Sequence, residues 1–182
     1  MKAGFKKCNC FFWPPHLEKI MKKVQLLNDD YVGHVTHLRH ACRGIVMNDG
    51  KVLLCYEKNN GLYLIPGGGV EEGESYKQCC ERELLEETGM QVFAKEEYLE
   101  IEELFSDWQH FNHYFICDLI KDTGCVNLTE GEKDAGCTYV WLPLEEAVDV
   151  FSVFEDFHKT DIAKYGLYKR EHQALKEFSE IL

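Results

Sequence analysis

Cationic charge is what this 182-residue sequence has least of: 20 Lys and Arg stand against 32 Asp and Glu, for a formal charge of -12. So acidic a chain is excluded as a nonspecific binder of nucleic acid polymers or anionic membrane surfaces, whose phosphate fields repel it. A phosphate-bearing ligand would need local help, such as a metal ion. Long apolar runs are missing too, which excludes an integral membrane span. No internal repeat or low-complexity segment appears. The nine cysteines form no regular framework and are odd in number. The apolar start "CNCFFWPP" is too short for the core of a secretory signal and ends in two prolines. Together these absences point to a reduced, cytoplasmic protein without a membrane partner.

The hydrophobic content, 45%, is enough for a core, and the length suits one compact domain with an appendage. Residues 1–33 read as that appendage. They have a basic start and a Pro14-Pro15 break, and Leu17, Ile20, Met21, Val24 and Leu27 then recur at the spacing of a short amphipathic helix. Cys8, Cys10 and His16 lack a fourth ligand and match no strong zinc template.

From residue 34 to 182 the pattern becomes strands interleaved with helices, an α/β sandwich with a mixed sheet. "HACRGIVMND", "KVLLCYEK" and "LYLIPGGG" form a meander that feeds a glycine loop. Residues 75–88 read as a helix that starts near Ser75 and stops at Gly89. Three further strands follow, with a polar loop over residues 121–136 before the last of them. A helix near Leu144 and a final one in "LYKREHQALKEFSEIL" close the chain.

The helix over 75–88 carries the chemistry. With about 100° per residue, Glu86 lies about 60° to one side of Glu83 and Glu87 about 40° to the other, so all three carboxylates share a face. Their repulsion costs only a few tenths of a kcal/mol per pair and would be tolerated on a solvated surface. The preceding "PGGGVEEGE" raises the significance of this face, because glycines let backbone carbonyls and N–H groups approach a ligand. A glycine loop joined to a carboxylate face suits Mg²⁺, with Mn²⁺ as the second choice. Arg82 is placed to pair with Glu74 as a structural brace, while Glu71, Glu72 and Glu81 read as surface charge.

This stretch resembles the Nudix hydrolase box, G-x5-E-x7-R-E-U-x-E-E-x-G-U, at Gly68, Glu74, Arg82, Glu83, Leu84, Glu86, Glu87, Gly89 and Met90. The resemblance implies the Nudix α/β/α sandwich and metal-dependent hydrolysis of a pyrophosphate bond in a nucleoside diphosphate linked to another moiety. By the same resemblance Glu83, Glu86, Glu87 and the Gly68 carbonyl hold the metal, and a box glutamate or a later carboxylate activates water. Glu132 is the leading later candidate, beside Glu130, Glu102 and Glu103.

Arg39 and Arg43 are candidates for phosphate contact and Trp108 for stacking on a base, with Phe111 and Tyr114 as further aromatic candidates. His110 and His113 read as strand-surface or pocket-lining residues. Secondary markers of the ADP-ribose, dinucleoside polyphosphate, coenzyme A and NADH subgroups are missing, which leaves nucleoside triphosphates and nucleotide sugars open. A catalytically silent Nudix-fold nucleotide sensor is the alternative. A homodimer could form through the N-terminal helix and the apolar side of the last helix.

Overall fold

Alternation rather than helical spacing governs the first segment that the computed structural model describes, residues 21–182. Lys22–Leu27 is a strand, β1, not the end of an amphipathic helix. Val24 and Leu26 pack into the core, while Lys23 and Gln25 face the opposite side. The physical reason is an available sheet edge: β6 (Met90–Phe105) pairs with β1 in parallel from Lys22↔Leu99 to Leu27↔Leu104. Open backbone donors outweigh a weak helical preference. The earlier part of the expected helix, and Cys8, Cys10 and His16, lie outside the described residues.

The long strand β2 (His37–Asn48) organises the sheet. It pairs in parallel with β7 (Trp108–Asp122) and antiparallel with β5 (Gly67–Gly69), and its end pairs antiparallel with β3 (Lys51–Glu57). Strands β4 (Leu62–Leu64) and β8 (Cys137–Pro143) attach to β3. The order β1-β6-β7-β2-β3-β4 makes the sheet mixed.

Successive residues of each strand feed two apolar layers, as the two-residue period requires. Cys42, Val46, Leu53 and Phe115 pack under Cys79, Cys80 and Leu84 of α1 (Tyr76–Thr88). Ile45, Val52, Leu54 and Ile101 pack under Phe151 of α3 (Leu144–Ser152) and Leu175 and Phe178 of α4 (Ile162–Ser179). Burying each such Leu or Phe contributes about 1.5–3 kcal/mol. The helices therefore cover both faces in an α/β/α sandwich. The apolar side of α4 is spent on this chain's own core, which removes it as the expected dimer contact.

Two further details differ from the sequence reading. The last helix begins at Ile162, five residues before Leu167, because Asp161 accepts the Lys164 N–H and caps it. The polar loop contains a short helix, α2 (Glu130–Ala135), closed by a capping box between Thr129 and Glu132.

Candidate active site

Helix α1 starts with a capping box, Ser75 with Gln78, and ends on Gly89 in the left-handed conformation. These caps fix where its carboxylates fall relative to strand β5. Glycine is required at one position of that strand and leaves room for a side chain at the next. Gly67 has φ 144, and a Cβ there would collide with the Cys42 carbonyl. A Cβ on Gly68 would lie 2.5 Å from the Glu83 carboxylate. The Glu83 side chain thus occupies space that only a missing side chain leaves.

The three box glutamates on the shared face divide between two sets of partners. Glu87 Oε2 accepts the Gly67 N–H at 2.8 Å and faces the Cys55 thiol at 3.6 Å. Arg82 Nη1 donates to Glu83 at 2.8 Å and to Glu86 at 3.1 Å. Its Nε and Nη2 form a fork on Glu74 at 3.1 and 2.7 Å, and Nη2 also reaches the Gly69 carbonyl at 3.1 Å. Arg82 therefore ties the glycine strand, the loop and the helix together.

The electrostatics set Glu74 apart from Glu83 and Glu87. Hydrogen bonds from Arg82 hold the Glu74 carboxyl down to about 2. Burial pushes the Glu87 carboxyl up to about 7, although the Gly67 N–H and the charge of Arg43 oppose the shift. Burial also raises Glu83, against the hydrogen bond from Arg82. Two carboxylates are thus desolvated beside one another, with less positive charge at hand than they need.

The remaining predicted residues divide by position. The Arg39 guanidinium packs over the glycine strand, 3.3 Å from where a Gly69 Cβ would lie. Desolvation, then the nearby Arg43 and Arg170, lower its pKa, while Glu83 acts in the other direction. Arg43 is buried, and its Nη1 donates to the Ile65 carbonyl at 3.0 Å, so it holds the glycine loop from beneath. Trp108 stacks on His37 at 4.7 Å, with Phe105 at 6.4 Å. It pairs with His37, four residues before Ala41, the partner of Gly69, and so stands roughly 13 Å along the sheet from the loop.

Of the later carboxylates, Glu132 raises the pKa of both Glu83 and Glu87 through its charge, and its Oε2 accepts the Thr129 N–H at 2.7 Å. Glu103 is engaged by Arg170 and Asn112, and Glu102 by Gln25 and Gln109. Tyr114 is fully buried in the core. His110 and His113 are buried rather than at the strand surface. Burial lowers the His110 pKa to about 2, so its imidazole is neutral.

Sequence reasoning missed two features. Glu81 is not free surface charge, because it accepts the Ala94 N–H at 2.9 Å where the β6 ladder is irregular. Beneath α4, Arg170 donates to Glu103 at 3.0 Å and to Glu171 at 2.6 Å, the Tyr114 hydroxyl donates to Glu171 at 3.1 Å, and Arg43 lies 3.7 Å from Glu171. A signal was available: Glu171 falls on the apolar stripe Tyr168, Leu175 and Phe178 at helical spacing.

The box residues fit a divalent cation. Their donors are hard carboxylate oxygens next to backbone carbonyls, a set that suits Mg²⁺ or Mn²⁺. Glu83 sits in the space left by Gly68, its guanidinium partner Arg82 is shared with Glu74 and Glu86, and Glu87 forms no ion pair among the described residues.

Comparison with known proteins finds relatives in sequence and in fold. An ADP-ribose pyrophosphatase of Methanocaldococcus jannaschii is 37% identical over 97 residues, covering 47% of this chain and 56% of that protein. The nucleoside triphosphatase NudI of Escherichia coli K12 is 39% identical over 57 residues, covering 29% and 40%. The chain thus spans about half the length, or less, of these curated relatives. Among solved structures, a NUDIX hydrolase from Nitrosomonas europaea superposes with a TM-score of 0.54 at 20% identity, over 75% of this chain and 88% of that one. A MutT protein from Methanosarcina mazei gives 0.50 at 19% identity, over 78% and 97%. Both are similar in fold. The profile of the NUDIX domain matches residues 38–163, which contain the glycine strand, the whole of α1 and the strands beneath them. With most of its length matched, this chain belongs to the NUDIX family.

Proposed function

We propose that this chain hydrolyses the pyrophosphate bond of a small nucleotide-type substrate, with a divalent cation held by Glu83, Glu86, Glu87 and the Gly68 carbonyl. The observation that carries the proposal is the placement of Glu83 in the space of a missing Gly68 side chain, beside a second desolvated carboxylate, Glu87. When bound, Mg²⁺ or Mn²⁺ supplies charge neutralisation for phosphate oxygens and lowers the pKa of a coordinated water. The protein's own residues do the rest. Glu74 and Arg82 brace the loop, Arg43 holds it from below, and Arg39 presents an exposed guanidinium to a phosphate.

Glu132 is the proposed base. Its charge already acts on Glu83 and Glu87, and it has only to release the Thr129 N–H to accept a proton from water. The names of the curated relatives support two substrate classes, ADP-ribose and nucleoside triphosphates. Trp108 is the residue assigned to stack on the base. The seven cysteines among the described residues are free thiols, which suits a reducing interior such as the cytoplasm.

The test is phosphate release from both substrate classes, with Mg²⁺ or Mn²⁺ and coupled phosphatase detection. Glu86→Gln should lower kcat by about 10²–10³-fold with the fold intact, and Glu132→Gln should lower kcat more than it changes KM. If no substrate turns over and Glu86→Gln changes nothing, the proposal fails, and nucleotide binding without turnover would identify a silent sensor.

A further inference from the structure

A second group of metal-type donors lies on the α1 side of the sheet. Glu97 and Glu100, three apart on β6, would face opposite sides of a regular strand. The pairing is irregular here: Glu97 meets Phe115, Leu99 meets Tyr114 and Glu100 meets His113, so an extra residue is inserted on β6. That bulge turns both glutamates to the side of His113. His113 Nδ1 lies 2.8 Å from Glu97 Oε1 and 3.8 Å from Glu100 Oε2. All three ligating atoms lie within 4.8 Å of one another. A tetrahedral ion with bonds near 2.0–2.1 Å sets its donors roughly 3.3 Å apart, between those two separations.

The surroundings favour a cation. The His113 ring is buried, stacked under Tyr76 at 3.9 Å, and its Nε2 lies 3.0 Å from His40 Nδ1. A partner on the far nitrogen is what orients a metal-binding imidazole: in the metal-free chain Nδ1–H donates to Glu97, and once a cation displaces that proton Nε2–H would donate to His40 Nδ1, which also lies 3.1 Å from the Tyr76 hydroxyl. Independently, the protein already rests a cation on one of the two carboxylates, for the exposed Lys23 ammonium sits 2.8 Å from Glu100 Oε1. Tyr76 precedes Glu83 by seven residues, or roughly 10 Å of helix, so the cluster is separate from the box.

We propose that Glu97, Glu100 and His113 bind one divalent transition-metal ion of the zinc class, with solvent in the remaining position and His40 orienting the imidazole. An imidazole among carboxylates suits zinc, whereas the oxygen-only box suits magnesium. Such an ion would pin the β6 bulge to β7 next to the start of α1.

The test uses the full chain carrying Glu83→Gln, Glu86→Gln and Glu87→Gln, so that it stands apart from catalysis, with Zn²⁺ added while imidazole ¹H–¹⁵N resonances are recorded. The His113 ring signals should move to a single new position with one bound ion. Adding Glu97→Gln and Glu100→Gln, both at partly exposed sites, should raise the zinc concentration required on the order of tenfold or more, and Lys23→Ala should lower it. If zinc moves only other histidines or binds only at cysteines, or if the His113 shift survives the loss of both glutamates, the proposal is overturned.

Discussion

Two groups of acids lie on opposite faces of one sheet, and they are treated differently. Under α4, Glu103 and Glu171 are 3% and 0% exposed, and Arg170 and Arg43 stand beside them, two cations for two anions. At the box, Glu74, Glu83 and Glu86 share the single guanidinium of Arg82, and Glu87 accepts the Gly67 N–H with no ion pair among the described residues. The first group is neutral and closed, and such a group cements a fold. The second is short of positive charge at a position reached through a glycine strand. Uncompensated charge is costly to maintain in the folded chain, and a bound cation removes that cost.

The largest effect should come from opening the closed group. Glu171→Ala would strand Arg170 and Arg43 without their shared partner and destabilise the fold by about 3–5 kcal/mol, as read by urea unfolding. If the loss is under about 1 kcal/mol, the two groups do not differ as described. Next, Gly68→Ala should push the Glu83 carboxylate aside, since the new methyl would lie 2.5 Å from it. Misplacement on that scale should lower kcat by about 10²-fold, with a much smaller change in melting temperature.

The smallest effect is a pH dependence of the metal-free protein. Glu87 has an ordinary value of 4.5 that the fold raises to about 7. The folded chain therefore holds this proton where the unfolded chain has lost it. Relative stability from this group is present below pH 4.5 and declines as pH rises towards 7, by on the order of 2–3 kcal/mol. Melting curves across that window should show the decline, Glu87→Gln should flatten it, and Mg²⁺ should offset it at the upper end. Glu74 acts in the opposite sense. Its carboxyl is lowered to about 2, so its contribution is present above its ordinary value and is lost as pH falls towards 2.

Much of the box was legible because its information is local. Ser75 and Gly89 bound α1 by capping rules, and the spacing of Glu83, Glu86 and Glu87 places them on one face whatever surrounds the helix. The β1 strand was not legible, because "KKVQLL" fits either period and only the open edge of β6 decides between them. Nor was the inward position of Arg43 legible, because strand alternation does not say which side will be covered by α4. Glu171 on an apolar helical stripe was a readable hint of a buried partner, but the identity of that partner depends on Tyr114 and Arg43, 57 and 128 positions away.

By itself, then, the sequence determined the helix, its caps and the shared face of its glutamates, since each follows from backbone propensity and residue spacing over a few turns. Only the tertiary structure decided which acids are neutralised, which arginine is sealed beneath the loop, and where a strand bulge brings Glu97 and Glu100 to His113. Those outcomes depend on cross-strand register and on which face a distant helix covers, and neither quantity is encoded in any single stretch of chain.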